Sequence, residues 1–286
     1  MKVGIVSPVV TAVPGAVDAW EQGAGIEDLA QIAEAADRLG FAHLTCSEHV
    51  AVPTDVAQQR GATYWDPLAT FGYLAARTSR IRLATQVLVL GYHHPLEIAK
   101  RYGTLDQVSG GRLVLGLGVG SLQEEFELLE MPFAGRGARA DDALRALRAS
   151  LGAEEPSYSG SHYAFDDVVV RPAALQREVP LWIGGSSLKS LQRAATLADG
   201  WVPFGLDLAG YQALLDKVER PDGFEVVLPG GRLDPIGSPE KAVARLTATA
   251  EVGATTLNVT IRAASPAHYV EQLESLASLV DLDPPA

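Results

Sequence analysis

Residues able to carry out acid–base chemistry follow the second apolar run of the chain. Glu48 and His49 come directly after Phe41–Cys46, which has the composition of a buried strand. Histidine titrates near neutral pH and can move a proton, so His49 is a candidate catalytic residue, with Glu48 beside it. Because adjacent residues leaving a strand tend to point apart, we expect only one of them to face a ligand. An exposed surface pair is the alternative.

A second segment has the composition of a phosphate-binding turn. Gly184, Gly185, Ser186, Ser187 and Leu188 join an apolar run to a helical pattern. Glycines let the backbone approach a ligand closely, and a helix that begins there directs unpaired N–H groups outward. An ordinary turn with a helix cap has the same composition, and the spacing alone does not separate the two.

Glycines also alternate at the end of the fourth apolar run. Gly116, Gly118 and Gly120 leave one face of this strand without side chains, and Ser121 follows them. A planar ring could lie against such a face. Close packing at a barrel corner explains the same pattern equally well.

Composition limits the class of protein and its partners. The chain has 286 residues and a net charge of −12, which argues against nucleic acid or an anionic membrane as the main partner. Cys46 is the single cysteine, so no internal disulfide forms and a reducing, cytoplasmic location is expected. No His, Cys, Asp and Glu cluster has metal-ligand spacing, and no apolar stretch is long enough to span a membrane.

The elements that must position these residues alternate between strands and helices. Eight apolar runs predict parallel strands covered on both faces, and helical patterns lie between them. We therefore predict an α/β fold, a (β/α)8 TIM barrel in one domain over residues 1–286, with a doubly wound sheet as the alternative. In such a barrel the strands' C-terminal ends carry the chemistry. The predicted strands are Val3–Val6, Phe41–Cys46, Ile81–Leu90, Arg112–Gly116, Leu181–Gly184, Gly200–Pro203, Phe224–Leu228 and Thr256–Ile261.

The connection between the fourth and fifth predicted strands is too long for a simple crossover. Met131–Pro180 contains a polar helical pattern near Ala138–Leu151 and the sequence of a hairpin around Gly160. We interpret this segment as an insertion in the barrel.

Five motifs follow one another along the chain, from Thr85 to Pro95, Leu105 to Phe126, Phe133 to Leu144, Val179 to Ser187 and Ala198 to Pro203. In this order they resemble the luciferase-like superfamily of flavin and deazaflavin oxidoreductases (the LLM class), and most closely its coenzyme F420-dependent members. The resemblance implies a (β/α)8 barrel, usually dimeric, and we therefore expect a homodimer. Many relatives have aspartate where this chain has Glu48, and the segment Asp207–Leu228 is short.

The resemblance also implies positions for a cofactor. The ring would lie over Thr85, Gln86 and Val87 of the third strand, beside a non-proline cis peptide that matches Gln86–Val87. Its phosphate would lie on the loop Gly184–Leu188, and His49 would lie near the reactive face of the ring. Gly118, Gly120 and Ser121 would bound the ring pocket.

The resulting hypothesis is an oxidoreductase that transfers a hydride between coenzyme F420 and a small organic substrate. One alternative is an FMN-dependent luciferase-like monooxygenase, since FMN shares the tricyclic ring and phosphate. The other is a non-catalytic flavin-binding barrel. Loops Thr11–Gly25, Ala51–Tyr64 and Pro229–Ile236 are expected to set the substrate, with Trp20, Tyr64 and Trp65 either lining an entrance or packing under the loops.

Overall fold

Eight parallel strands close into a barrel in the computed structural model, which describes residues 1–283. The ring closes because the fourth strand pairs with both the third and the fifth, and the eighth pairs with both the seventh and the first. The (β/α)8 prediction is therefore confirmed. The barrel strands are β1 (Lys2–Ile5), β2 (His43–Cys46), β3 (Arg82–Thr85), β4 (Leu113–Gly118), β5 (Leu181–Gly184), β6 (Gly200–Val202), β7 (Glu225–Leu233) and β8 (Thr256–Ile261).

The helices surround the barrel. Ser-Pro pairs and glycines in the sequence mark several of their first and last residues. Ser265 caps the last helix with its hydroxyl, and Pro266 follows at the first helical position. Gly40 and Gly110 end the first and fourth helices in the left-handed conformation that glycine adopts without cost. The helices are α1 (Ile26–Leu39), α2 (Thr54–Arg60), α3 (Pro67–Arg77), α4 (Pro95–Ser109), α5 (Gln123–Leu128), α6 (Arg136–Ser150), α7 (Leu188–Leu197), α8 (Leu208–Leu215), α9 (Pro239–Glu251) and α10 (Pro266–Leu279).

Side chains fill the barrel interior. A small apolar cluster is separate from the larger core between strands and helices, and the partly buried Val87 packs against it. A ligand can therefore reach only the upper surface of this filling, at the C-terminal strand ends. The buried members of the cluster are Ala84, Val114, Trp182, Val202 and Val227.

Two predicted boundaries are wrong in a way that affects the site. The predicted strand Ile81–Leu90 ends at Thr85 and resumes only as the short strand Leu88–Val89, because the chain leaves the barrel wall at Gln86 and Val87. The predicted loop Pro229–Ile236 is largely strand, since β7 continues to Leu233 through an irregularity between Pro229 and Gly231.

The insertion between β4 and β5 is present but smaller than predicted. Helix α6 packs against α4 and α7, so it belongs to the outer ring of barrel helices. The added parts are α5 and a hairpin in which Tyr158–Ser159 pairs antiparallel with Ala164–Phe165, as the sequence around Gly160 predicts. Within residues 1–283, none of the helices combines the length and apolar character needed to cross a bilayer.

Candidate active site

The loop after β2 is hydrogen-bonded to the segment that follows β3. The Ser47 hydroxyl donates a hydrogen bond of 2.7 Å to the carbonyl oxygen of Gln86. The backbone N–H of Glu48 donates to the carbonyl oxygen of Val87 at 3.4 Å. The peptide bond between Gln86 and Val87 is cis, at the position that the family resemblance implies. His49 is thus held close to the segment predicted to back a ring.

His49 forms its main contact with a residue that the sequence did not single out. Its Nδ1 lies 2.6 Å from Oε2 of Glu125, whose side chain is fully buried in α5. The Tyr92 hydroxyl donates to the same oxygen at 2.7 Å. Burial alone would raise the pKa of the Glu125 carboxyl, but the hydrogen bonds from His49 and Tyr92 hold this pKa below its ordinary value. Glu125 is therefore an ionised acceptor.

Glu48 points away from His49 and lies buried. Its Oε1 is 2.6 Å from Nε2 of His93, and its Oε2 accepts a hydrogen bond of 2.7 Å from the backbone N–H of Val89. Burial lowers the pKa of His93, but the contact with Glu48 outweighs this and raises the pKa above its ordinary value. As expected, only one residue of the adjacent pair, His49, keeps an accessible side chain. The Glu48 side chain instead connects the loop after β2 to His93 and Val89, which follow β3 in the chain.

Val87 occupies the space that the glycines leave. A Cβ atom on Gly118 would lie 2.7 Å from Cγ2 of Val87, and one on Gly184 would lie 2.8 Å from Cγ1. Thr85 below it is fully buried, and its hydroxyl donates to the carbonyl oxygen of Gly116 at 2.7 Å. The ends of β4 and β5 therefore seat the Val87 side chain, and Val87 is the partly exposed residue of this surface.

Gly120 and Ser121 belong to the rim. A Cβ atom on Gly120 would lie 2.5 Å from a ring carbon of Phe126, so the close approach of this buried ring requires glycine there. The Gly120 backbone has a φ of 79°, which also favours glycine. Ser121 is exposed and its Oγ lies 3.4 Å from Arg60, while Arg136 donates to the carbonyl oxygen of Gly120 at 3.0 Å.

The turn after β5 retains open hydrogen-bond donors. The Ser187 hydroxyl accepts from the backbone N–H of Ser190 at 3.2 Å, and the Ser190 hydroxyl accepts from that of Ser187 at the same distance. The backbone N–H groups of Ser186, Leu188 and Lys189 find no acceptor among residues 1–283. Gly185 has a φ of 109° and its carbonyl oxygen accepts from Trp201. The turn is thus both a helix cap and an anion-binding geometry.

A series of hydrogen bonds within the barrel orients the Gln86 side chain. His43 is fully buried, burial lowers its pKa to about 3, and its Nε2 contacts Oδ1 of Asn258. Asn258 Nδ2 then donates to Oε1 of Gln86 at 3.0 Å. Because the carbonyl end of the Gln86 amide is held toward the barrel, its NH2 group faces the other way and is not enclosed.

The residues expected at the entrance have different positions. The Tyr64 ring lies 4.4 Å from the His49 ring, so it borders the candidate active site. Trp20 packs edge-on against the buried Tyr269, so it supports the loop from below. The strand Thr11–Ala12 pairs with Thr63–Tyr64 and joins the loops after β1 and β2.

An apolar groove of about 330 Å³ lies elsewhere, between α3 and α4 on the outside of the barrel. Leu68, Leu105 and Val108 are among the residues that line it, and none of the candidate site residues does. The groove is therefore separate from the chemistry at the strand ends. The homodimer expected from the sequence remains a prediction.

The sequence and the fold of this chain are similar to those of known proteins. A family model described as luciferase-like monooxygenase matches residues 1–231. An uncharacterized protein of Mycobacterium tuberculosis is 29% identical over 201 residues, 66% of this chain and 69% of the relative. An F420-dependent glucose-6-phosphate dehydrogenase of Microbacterium testaceum is 30% identical over 183 residues, 62% of this chain and 52% of that enzyme. The structure of the coenzyme F420-dependent tetrahydromethanopterin reductase of Methanopyrus kandleri superposes with a TM-score of 0.75 at 15% identity, covering 98% and 97% of the two chains.

Proposed function

Since the chain belongs to the luciferase-like monooxygenase family, we propose that it is an oxidoreductase that transfers a hydride between coenzyme F420 and a small organic substrate. The observation that carries the proposal is the partly exposed Val87, seated on Gly118 and Gly184 with the His49 loop against its backbone. The F420-dependent relatives support the choice of cofactor.

The residues present fit a tricyclic cofactor with a phosphate. Val87 offers an apolar surface to a ring, and the outward NH2 group of Gln86 offers a donor to a ring carbonyl. The open N–H groups of Ser186 and Leu188 at the start of α7 suit a phosphate. The exposed Lys189 next to them favours an anionic group.

The protein's part in the reaction is positioning and proton handling. When bound, coenzyme F420 would supply the hydride chemistry. His49 would hydrogen-bond the substrate and accept or return its proton through Nε2, which has no partner among the described residues. Glu48 would keep the loop in place through His93 and Val89. The exposed Val50 and the Tyr64 ring would border the substrate.

An FMN-dependent monooxygenase is the second candidate, because the matching family model carries that description. The two cofactors differ in the acidic tail beyond the phosphate of F420. Exposed cations at the rim, Arg60 beside Ser121 and Lys189 on α7, favour the cofactor with the more acidic tail.

Parallel titrations of the purified protein with F420 and FMN test the proposal. We expect saturable quenching of F420 fluorescence at lower concentrations than FMN requires, and F420-dependent turnover on a panel of alcohols, aldehydes and enones. Tighter binding of FMN with oxygen consumption would support the monooxygenase instead. Binding without turnover of any substrate would support a non-catalytic flavin-binding barrel.

A further inference from the structure

The environment of His49 fixes which of its ring nitrogens carries the proton. Nδ1 lies 2.6 Å from Oε2 of Glu125, and a carboxylate can only accept hydrogen bonds when it is ionised. Three further donors converge on that carboxylate: the hydroxyl of Tyr92 at 2.7 Å, and the backbone N–H groups of Val50 at 2.6 Å and Ala51 at 3.1 Å. No acceptor partner for a protonated Glu125 is found there among residues 1–283, so the proton between the two side chains belongs to Nδ1.

We propose that Glu125 is a positioning residue: whenever the His49 ring is neutral, Glu125 holds its proton on Nδ1, so that the unprotonated Nε2 is presented to the substrate. The inference rests on the proposed function for its effect on turnover, but the tautomer itself is a property of the protein without cofactor. The proton-transfer group is then a pair, His49 and the fully buried Glu125 of α5 that contacts it.

The geometry distinguishes this role from simple loop support. Glu125 Oε1 accepts the two backbone N–H groups of the loop, whereas Oε2 accepts His49 and Tyr92. In Glu125→Gln the amide oxygen stays with the backbone donors, so the amide NH2 takes the position of Oε2. That NH2 donates to Nδ1, which must then be unprotonated. The substitution therefore reverses the tautomer and turns Nε2 from an acceptor into a donor.

The effect on catalysis follows from this reversal. A histidine whose outward nitrogen already carries a proton cannot act as a base. We expect kcat for Glu125→Gln to fall by about 10²–10⁴-fold while KM and the dissociation constant of F420 change by less than about threefold. The matched control is Glu124→Gln, which removes the same charge from an exposed position one residue earlier in the same helix. Glu124→Gln should leave kcat, KM and the dissociation constant of F420 unchanged.

Nitrogen-15 NMR of the imidazole rings in the cofactor-free protein is the direct test. The chain has six histidines, and His49→Gln identifies the signals of His49. The proposal predicts an Nδ1–H tautomer in the unsubstituted protein, in Glu124→Gln and in Tyr92→Phe, and an Nε2–H tautomer in Glu125→Gln. An Nε2–H tautomer in the unsubstituted protein overturns it, even if Glu125→Gln fails to fold.

The remaining outcomes separate this proposal from the proposed function. A protein with the predicted tautomers that binds neither F420 nor FMN refutes the function and leaves the His49–Glu125 pair established. A protein that turns over F420 normally after the Glu125→Gln tautomer has reversed refutes the positioning role and leaves the function intact.

Discussion

The contact between Val87 and Gly118 can be tested by enlarging the glycine and shortening the valine, singly and together. In Gly118→Ala the new Cβ would lie 2.7 Å from Cγ2 of Val87, well inside van der Waals contact, and 3.7 Å from its Cβ. Overpacking of this kind costs about 1–3 kcal/mol. For a chain of this size that corresponds to a fall in Tm of roughly 2–4 °C per kcal/mol.

The double variant Gly118→Ala/Val87→Ala distinguishes this mechanism from general damage. Val87→Ala removes both Cγ atoms. The Cβ introduced by Gly118→Ala then lies 3.7 Å from the remaining Cβ of the second substituted residue and 4.0 Å from the backbone nitrogen of Gly120, both ordinary contacts. Val87→Ala alone should cost about 1 kcal/mol, since the side chain is only half-buried. The double variant should then be no less stable than Gly118→Ala, with a favourable coupling of about 1–2 kcal/mol.

Thermal and urea unfolding of the four proteins measure the coupling, and F420 titration measures its effect on the site. Gly72→Ala is the matched control, because a Cβ there meets nothing within 4 Å and alanine favours the α3 helix. Strictly additive stabilities, or a Gly118→Ala protein as stable as the control, would refute the packing assigned to Val87. Unweakened F420 binding in Gly118→Ala would show that the ring does not rest on Val87.

Two further predictions concern the proton-transfer group and the acid stability of the fold. His49→Gln should bind F420 nearly normally and lose turnover, measured as a fall in kcat, and an unchanged kcat would remove His49 from the mechanism. Burial raises the pKa of Asp37, but hydrogen bonds from the backbone N–H groups of residues 79–81 outweigh this and lower it. Its stabilisation is thus complete above the unfolded pKa of about 3.9 and is lost as the pH falls through the lower folded value. Asp37→Asn should be less stable at pH 7 by roughly 1–3 kcal/mol, and the difference in urea midpoints should shrink below about pH 4; a constant difference would contradict this assignment.

The barrel was predictable because its signals are local. Uninterrupted apolar runs predict strands covered on both faces, and the bounds of Leu181–Gly184 and Thr256–Ile261 agree with the structure. The departure of the chain from the wall at Gln86 was not predictable from composition, since Ile81–Leu90 is apolar enough for one strand. The contacts that stabilise it come from Ser47 and Glu48, which are distant in the sequence.

The partners of the candidate site residues were less predictable for the same reason. Glu125 is one of two adjacent glutamates, and no local pattern indicates that it is buried against His49, 76 residues away. Asn258 lies in an apolar strand, and its buried side-chain amide requires hydrogen-bond partners, but the sequence does not indicate which residues provide them. The alternating glycines correctly marked a close approach, but the group that approaches Gly118 is Val87.

A crystal structure of the protein with coenzyme F420 bound would show where the cofactor lies. We predict that the ring lies against Val87 with its reactive face toward Nε2 of His49, and that its phosphate accepts hydrogen bonds from the backbone N–H groups of Ser186 and Leu188. A ring bound in the groove between α3 and α4, or a phosphate away from the start of α7, would contradict the account.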